Sequence, residues 1–77
     1  MDAKLYSTPS CVYCRKAKDY FDRMGVKYTE YDVSRNQKYA EDMVRKSGQM
    51  GVPVIILKNQ VIIGFNKPKI DQLLNVN

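Results

Sequence analysis

Seventy-seven residues give room for a single hydrophobic core, and 44% hydrophobic against 27% charged residues, with only three prolines and four glycines, is the composition of a folded globule and excludes a disordered chain. The net charge of +5 comes from basic residues interleaved with acids rather than gathered into a stripe, so nucleic acid is not an expected partner. Two cysteines and no histidine exclude a multi-disulfide scaffold, Ser-His or Cys-His nucleophile pairs and a complete four-ligand zinc site, so no metal is expected.

Met1 to Lys4 runs directly into the alternation of a first strand, Ala3 to Ser7, with no apolar signal core, and the cytoplasm is the expected location. Thr8-Pro9-Ser10 is turn chemistry that ends this strand just before Cys11. From Cys14 onward Ala17, Tyr20, Phe21 and Met24 recur at helical spacing, with Arg15, Lys16, Lys18, Asp19 and Asp22 on the other faces and Gly25 as the stop. The second cysteine therefore lies in the first turn of an amphipathic helix. Lys27 to Val33 alternates and is rich in Tyr, Thr and Val, a second strand completing a βαβ unit whose right-handed crossover sets the two strands parallel.

Ser34 with Gln37 has the pattern of a capping box opening a second helix. Ala40, Met43, Val44 and Ser47 share one face of it; Lys38, Glu41, Asp42, Arg45 and Lys46 form its exposed surface, and Gly48 closes it. The apolar run from Val52 to Leu57 is interrupted by Pro53 and is strand-sized, far short of a membrane span. Val54 to Leu57 and Val61 to Ile63 are β-branched runs joined by Lys58-Asn59-Gln60, an antiparallel hairpin. Pro68 suits the first turn of a last helix in which Ile70, Leu73 and Leu74 repeat. The order is βαβαββα, in one domain over residues 1–77. Tyr6, Tyr20, Phe21, Tyr28 and Tyr31 read as packing residues, and Met24, Met43 and Met50 as gap-fillers, Met50 at the rim of Val52-Pro53.

A Cys-x-x-Cys pair alone also fits half of a metal site or two inert buried thiols. Between the strand and helix of a βαβ unit it reads as a redox dithiol. Residues three apart on a helical turn have β-carbons roughly 5–6 Å apart, and a disulfide needs α-carbons ~4.4–6.8 Å apart, so Cys11 and Cys14 can close reversibly. Cys11 sits at the helix N-terminus, where unpaired N–H groups and the dipole favour a thiolate and Arg15, Lys16 and Lys18 add positive charge. Cys14, one turn further in, is less exposed. Cys11 is thus the expected nucleophile and Cys14 the expected resolving thiol. Bringing a thiol from about 8.5 to about 5.5 raises its thiolate fraction at neutral pH roughly thirtyfold, while a Brønsted coefficient near ~0.45 removes roughly twentyfold in nucleophilicity. The benefit falls on the second step, in which a low-pKa sulfur leaves a mixed disulfide readily. The net positive charge would also draw in anionic thiols, glutathione among them.

Leu5-Tyr6-Ser7, Cys11-Val12-Tyr13-Cys14-Arg15-Lys16-Ala17-Lys18, Gly51-Val52-Pro53 and Gly64-Phe65, in this order and spacing, resemble the glutaredoxin family, including its short NrdH-type redoxins, from Lys4 to Leu74. The resemblance implies a thioredoxin fold of the α/β class, a four-stranded mixed sheet flanked by three helices, with a cis peptide before Pro53 facing the dithiol. It also implies a thiol-disulfide oxidoreductase with no tightly bound cofactor, glutathione as co-substrate, disulfide-containing proteins as substrates, and a monomeric state. The backbone at Val52 would pair with an extended thiol peptide, Tyr13 would flank its sulfur, and Gly64, Phe65 and Asn66 would receive the γ-glutamyl end. The chain departs from the family in Val12, where a proline is common. Thr8 stands where many members have lysine, and Asn66-Lys67 where many have an acidic pair, so both ionic anchors for glutathione are missing; Gln49 matches a polar position near the glycine carboxylate and Lys16 is a substitute cation.

Two other uses of the scaffold stay open. NrdH-type redoxins look similar in Gly64-Phe65 followed by Pro68, and the resemblance then implies electrons from thioredoxin reductase delivered to ribonucleotide reductase, although Ile62-Ile63 stand where that group carries a tryptophan. An iron-sulfur carrier would share a cluster between Cys11 of two subunits and two glutathiones, because a cluster needs four thiolates and one chain supplies two.

Overall fold

Everything in the molecule is arranged around one strand, β1 (Asp2–Ser7), which pairs on one edge with β2 (Lys27–Asp32) in parallel and on the other with β3 (Val54–Leu57) antiparallel. A hairpin adds β4 (Gln60–Ile63) to β3, giving the sheet order β2-β1-β3-β4. The helices are α1 (Val12–Met24), α2 (Gln37–Ser47) and α3 (Lys67–Leu74). This computed structural model describes residues 2–75. Element order, the parallel first pair and the antiparallel hairpin are as the sequence predicts.

Strand alternation divides the apolar side chains between two layers. Ala3 and Leu5 of β1, Ile55 and Leu57 of β3 and Ile62 of β4 point to one face, where they meet Ala17, Tyr20 and Phe21 of α1 and Ile70 of α3. Tyr6, Val54, Ile56 and Val61 point to the other and meet Met43 of α2, with Tyr31 of β2 stacked on Tyr6 at 5.1 Å between ring centroids. The sheet is thus covered by α1 and α3 on one side and by α2 on the other.

Local departures from the sequence expectation have identifiable causes. Asn36, not Ser34, caps α2: the Asn36 side chain accepts the Lys38 N–H at 2.9 Å. The Asp32 carboxylate accepts the Ser34 N–H at 2.9 Å, a local turn that occupies the residue a capping box would use. The hairpin loop is two residues long, because Lys58 and Asn59 both take positive φ, 52° and 62°, as a type I′ turn requires, and Gln60 joins β4.

The expected outer face of α2 is redrawn. Asp42 accepts a hydrogen bond from the Tyr6 hydroxyl and an ion pair from Lys46 at 3.2 Å, since the phenol of a fully buried strand residue emerges against the flank of α2 and needs an acceptor. That hydroxyl, with Arg45 and Lys46, holds the Asp42 carboxyl well below the ordinary carboxylate range. Val44 is exposed instead of packed, and of the three methionines whose positions suggest gap-filling only Met43 is buried; Met24 and Met50 are exposed.

Candidate active site

β1 ends at Ser7, and the chain turns through Thr8–Ser10 to place Cys11 at the mouth of α1. Cys11 is itself the N-cap, in extended conformation (φ −88°, ψ 115°), and its Sγ accepts the Cys14 N–H at 3.1 Å. The sulfur occupies the acceptor position that a serine or aspartate oxygen takes at other helix starts. Cys11 N–H donates to the Thr8 carbonyl at 3.3 Å and Arg15 N–H to the Cys11 carbonyl at 3.2 Å, so both sides of the residue are fixed by backbone. No acidic residue stands in the first turn, which leaves the positive end of the helix open to a negative sulfur.

Cys14 is wholly buried, while Cys11 is partly exposed. Burial pushes the Cys14 thiol up to about 12, with its bond to Cys11 adding to the rise and the Thr8 backbone and Lys18 acting against it. The sign of the consequence follows. In the unfolded chain a thiol ionises near about 8.5, so above that pH the unfolded state binds fewer protons than the native one. The stability associated with Cys14 is therefore full below about 8.5 and declines as pH rises toward the folded value. Urea midpoints of the reduced protein at pH 8 and pH 10.5 should show this decline, and Cys14→Ala should remove part of it; an equal decline in the variant would refute the assignment.

Sheet register brings the remaining elements to the same end. Tyr6 lies opposite Val54 in the β1–β3 ladder, so the end of β1 at Ser7 and the start of β3 after Pro53 fall at the same end of the sheet. Val54 lies opposite Ile63, and the Gly64 N–H donates to the Pro53 carbonyl at 2.9 Å. The Val52–Pro53 peptide is cis, as the resemblance implied. Pro53, just before β3, and Gly64, just after β4, therefore lie at the end of the sheet where β1 gives way to Thr8 and the turn that leads to Cys11. Gly64 has φ +77°, a conformation that L side chains rarely adopt, so the tight return from β4 depends on glycine.

The other expected site residues divide. Tyr13 is 59% exposed beside Cys14, with the Lys16 ammonium 5.0 Å from its ring centroid, a cation–π pair on the outer face of the first turn. Gln49 is half-buried and tied by its backbone to the Ser47 hydroxyl. Phe65 turns toward the core, edge-on to Tyr20 at 5.9 Å, and Asn66 uses its side chain to cap α3 by accepting the Lys69 N–H at 3.2 Å. Two of the three cations expected around Cys11 stay in its helical turn: Lys16 as described, and Arg15, whose guanidinium reaches the Pro9 carbonyl. The third, Lys18, is directed at β2, where it pairs with Glu30 at 2.9 Å, because it lies one turn beyond Cys14 on the flank facing that strand. Sequence reasoning missed Glu30 and Ser7 here; the Ser7 hydroxyl, fully buried, donates to the same Glu30 oxygen at 2.6 Å.

A mixed four-stranded sheet with an exposed and a buried cysteine at the start of its first helix defines a thioredoxin-fold dithiol protein. Residues 3–62 match the glutaredoxin family model, and the chain belongs to that family of thiol-disulfide oxidoreductases. It is 41% identical over 71 residues to a glutaredoxin-like 8.6 kDa protein of the rubredoxin operon of Clostridium pasteurianum, covering 92% of this chain and 95% of that one. It is 32% identical over 63 residues to glutaredoxin 3 of Escherichia coli, covering 82% and 76%. Among solved structures, the glutaredoxin-like NrdH-redoxin of Escherichia coli superposes with a TM-score of 0.83 at 27% identity over 95% of each chain. No helix among the described residues is long and apolar enough to cross a membrane.

Proposed function

We propose that the protein is a cytoplasmic dithiol oxidoreductase that reduces mixed disulfides of proteins or of glutathione, with glutathione as its electron donor. The observation that carries this reading is the pairing of a partly exposed Cys11 sulfur, capped by the Cys14 N–H at 3.1 Å, with a Cys14 thiol buried one turn behind it. Cys11 as thiolate attacks one sulfur of the substrate disulfide, the substrate's second sulfur leaves with the bonding electrons, and a mixed disulfide remains on Cys11. Either glutathione then attacks that mixed disulfide, or Cys14 loses its proton and closes the intramolecular bridge, releasing a reduced thiol. Capping of Cys11 by substrate removes its negative charge and its acceptor role. Two of the influences that hold the Cys14 proton vanish at the moment Cys14 must react.

The glutathione reading is supported by the pairing of Tyr6 with Val54, which leaves the chain before β3 at the end of the sheet from which β1 leads to Cys11, and by the similarity to glutaredoxin 3. In this reading Tyr13 flanks the substrate sulfur, Lys16 and Gln49 meet the glycine carboxylate, and the Gly64-Phe65-Asn66 stretch receives the γ-glutamyl end. Two observations favour the second reading, an NrdH-type redoxin fed by thioredoxin reductase: Asn66 is committed to capping α3, and the likeness to NrdH-redoxin spans both chains nearly end to end. A mixed-disulfide substrate supplied with glutathione, glutathione reductase and NADPH should be turned over. Turnover absent with that donor and present with thioredoxin reductase and NADPH would overturn glutathione coupling in favour of the NrdH-type reading.

A further inference from the structure

A chain of hydrogen bonds, Ser7–Glu30–Lys18, links the end of β1 through β2 to the flank of α1. Ser7 is the last residue of β1 and is buried; its hydroxyl donates to Glu30 Oε2 at 2.6 Å, and the same oxygen receives Lys18 Nζ at 2.9 Å. Lys18 stands four residues after Cys14 on α1, so the two side chains share one face of the helix, about 5–6 Å apart at their β-carbons. A free lysine on a helix flank extends into water. Here Glu30 holds the ammonium back against β2, and the buried hydroxyl fixes the carboxylate that does so.

We infer that Lys18, clamped by Glu30 and Ser7, is a positioning residue for the resolving step, holding a fixed cation beside Cys14 as that sulfur becomes negative. This rests on the reading of Cys14 as the resolving thiol. In the step concerned, the Cys14 thiol gives its proton to solvent, its sulfur bonds to Cys11 Sγ, the bond between Cys11 and the captured thiol breaks, and the departing thiolate takes the electron pair and a proton from solvent. Negative charge thus exists on Cys14 only transiently. A cation already in place stabilises that charge without having to reorganise, whereas Cys11 draws on the helix N-terminus instead. The titratable groups facing Lys18 are Glu30 and Tyr28 of β2 and Cys14 of its own helix; those facing Cys14 are Cys11 and Lys18. The Lys18 charge acts to lower the Cys14 pKa against the effect of burial, in keeping with this role.

The test uses the full-length reduced protein and 4,4′-dithiodipyridine, a neutral disulfide that releases one thiopyridone when Cys11 attacks and a second when Cys14 closes the bridge. Stopped-flow absorbance separates the two phases. Lys18→Met should slow the second phase about tenfold and move its pH midpoint upward by about one unit, with the first phase within twofold of the parent. Lys18→Arg should restore the second phase, and Glu30→Gln, which leaves the lysine but loosens its anchor, should fall between. A second phase unchanged in rate and midpoint in Lys18→Met, or both phases slowed equally, would overturn the inference; should Lys18→Met fail to fold, the same readings on Glu30→Gln decide it. Absence of any second phase in the parent protein is a different result, and would instead overturn the role of Cys14.

Discussion

Replacing Cys11 with serine is expected to lower mixed-disulfide turnover by about a thousandfold or more, since no sulfur then remains to capture the substrate and a hydroxyl has almost no ionised form at neutral pH. The loss will not be one of folding. Serine is a preferred N-cap residue, and its oxygen can take the Cys14 N–H that the sulfur now accepts, so α1 should start as well or better in the variant. Cys14→Ser separates the two thiols: the attacking sulfur and its cap are kept, and in the absence of a donor thiol the protein should accumulate carrying the captured thiol as added mass. Intact-mass measurement reads both outcomes, together with the loss of two hydrogens when the parent oxidises. Turnover by Cys11→Ser at the parent rate, or an oxidised parent with no internal bridge, would refute the assignment.

The second large effect concerns stability. Phe21 is fully buried, packs against Tyr28 at 5.7 Å between ring centroids, and joins Leu5, Ile55, Leu57 and Ile70 in the larger core layer. Phe21→Ala is expected to cost about 3–5 kcal/mol through lost transfer energy and the cavity left behind. Domains of this size have a total of roughly 5–15 kcal/mol at most, and small ones lie toward the lower end. Urea unfolding followed by circular dichroism should therefore show a midpoint near zero denaturant. A change below about 1 kcal/mol would mean that this layer is not packed as described.

How far the sequence reveals this molecule depends on whether a feature is local. Strand alternation and helical spacing are written in consecutive residues, which is why β1, α1 and the Cys11–Cys14 pair were legible, as was the burial of Tyr6, Phe21 and Ile70. Pairings across the chain were not. Lys18 read as a cation for Cys11 because Glu30 is twelve residues away and only the parallel β1–β2 register brings it under α1. Asp42 and Lys46 read as solvent-facing because their partner, the Tyr6 hydroxyl, is thirty-six and forty residues earlier. Ser34 matches a capping pattern, yet Asp32 competes for it and Asn36 stands two residues nearer the helix; two local bonds of similar strength cannot be ranked from letters alone. The resemblance to the family supplied the cis bond at Pro53, which spacing could not.

The strand from which Cys11 hangs is also the one on which both core layers are built, flanked by β2 and β3 and sandwiched between α1 and α2. The protein accordingly has no inert chassis distinct from its working end. Alterations made to adjust the chemistry will register in the melting temperature, and repacking of the interior will be felt by the sulfurs, so robustness and reactivity here are constrained to evolve together.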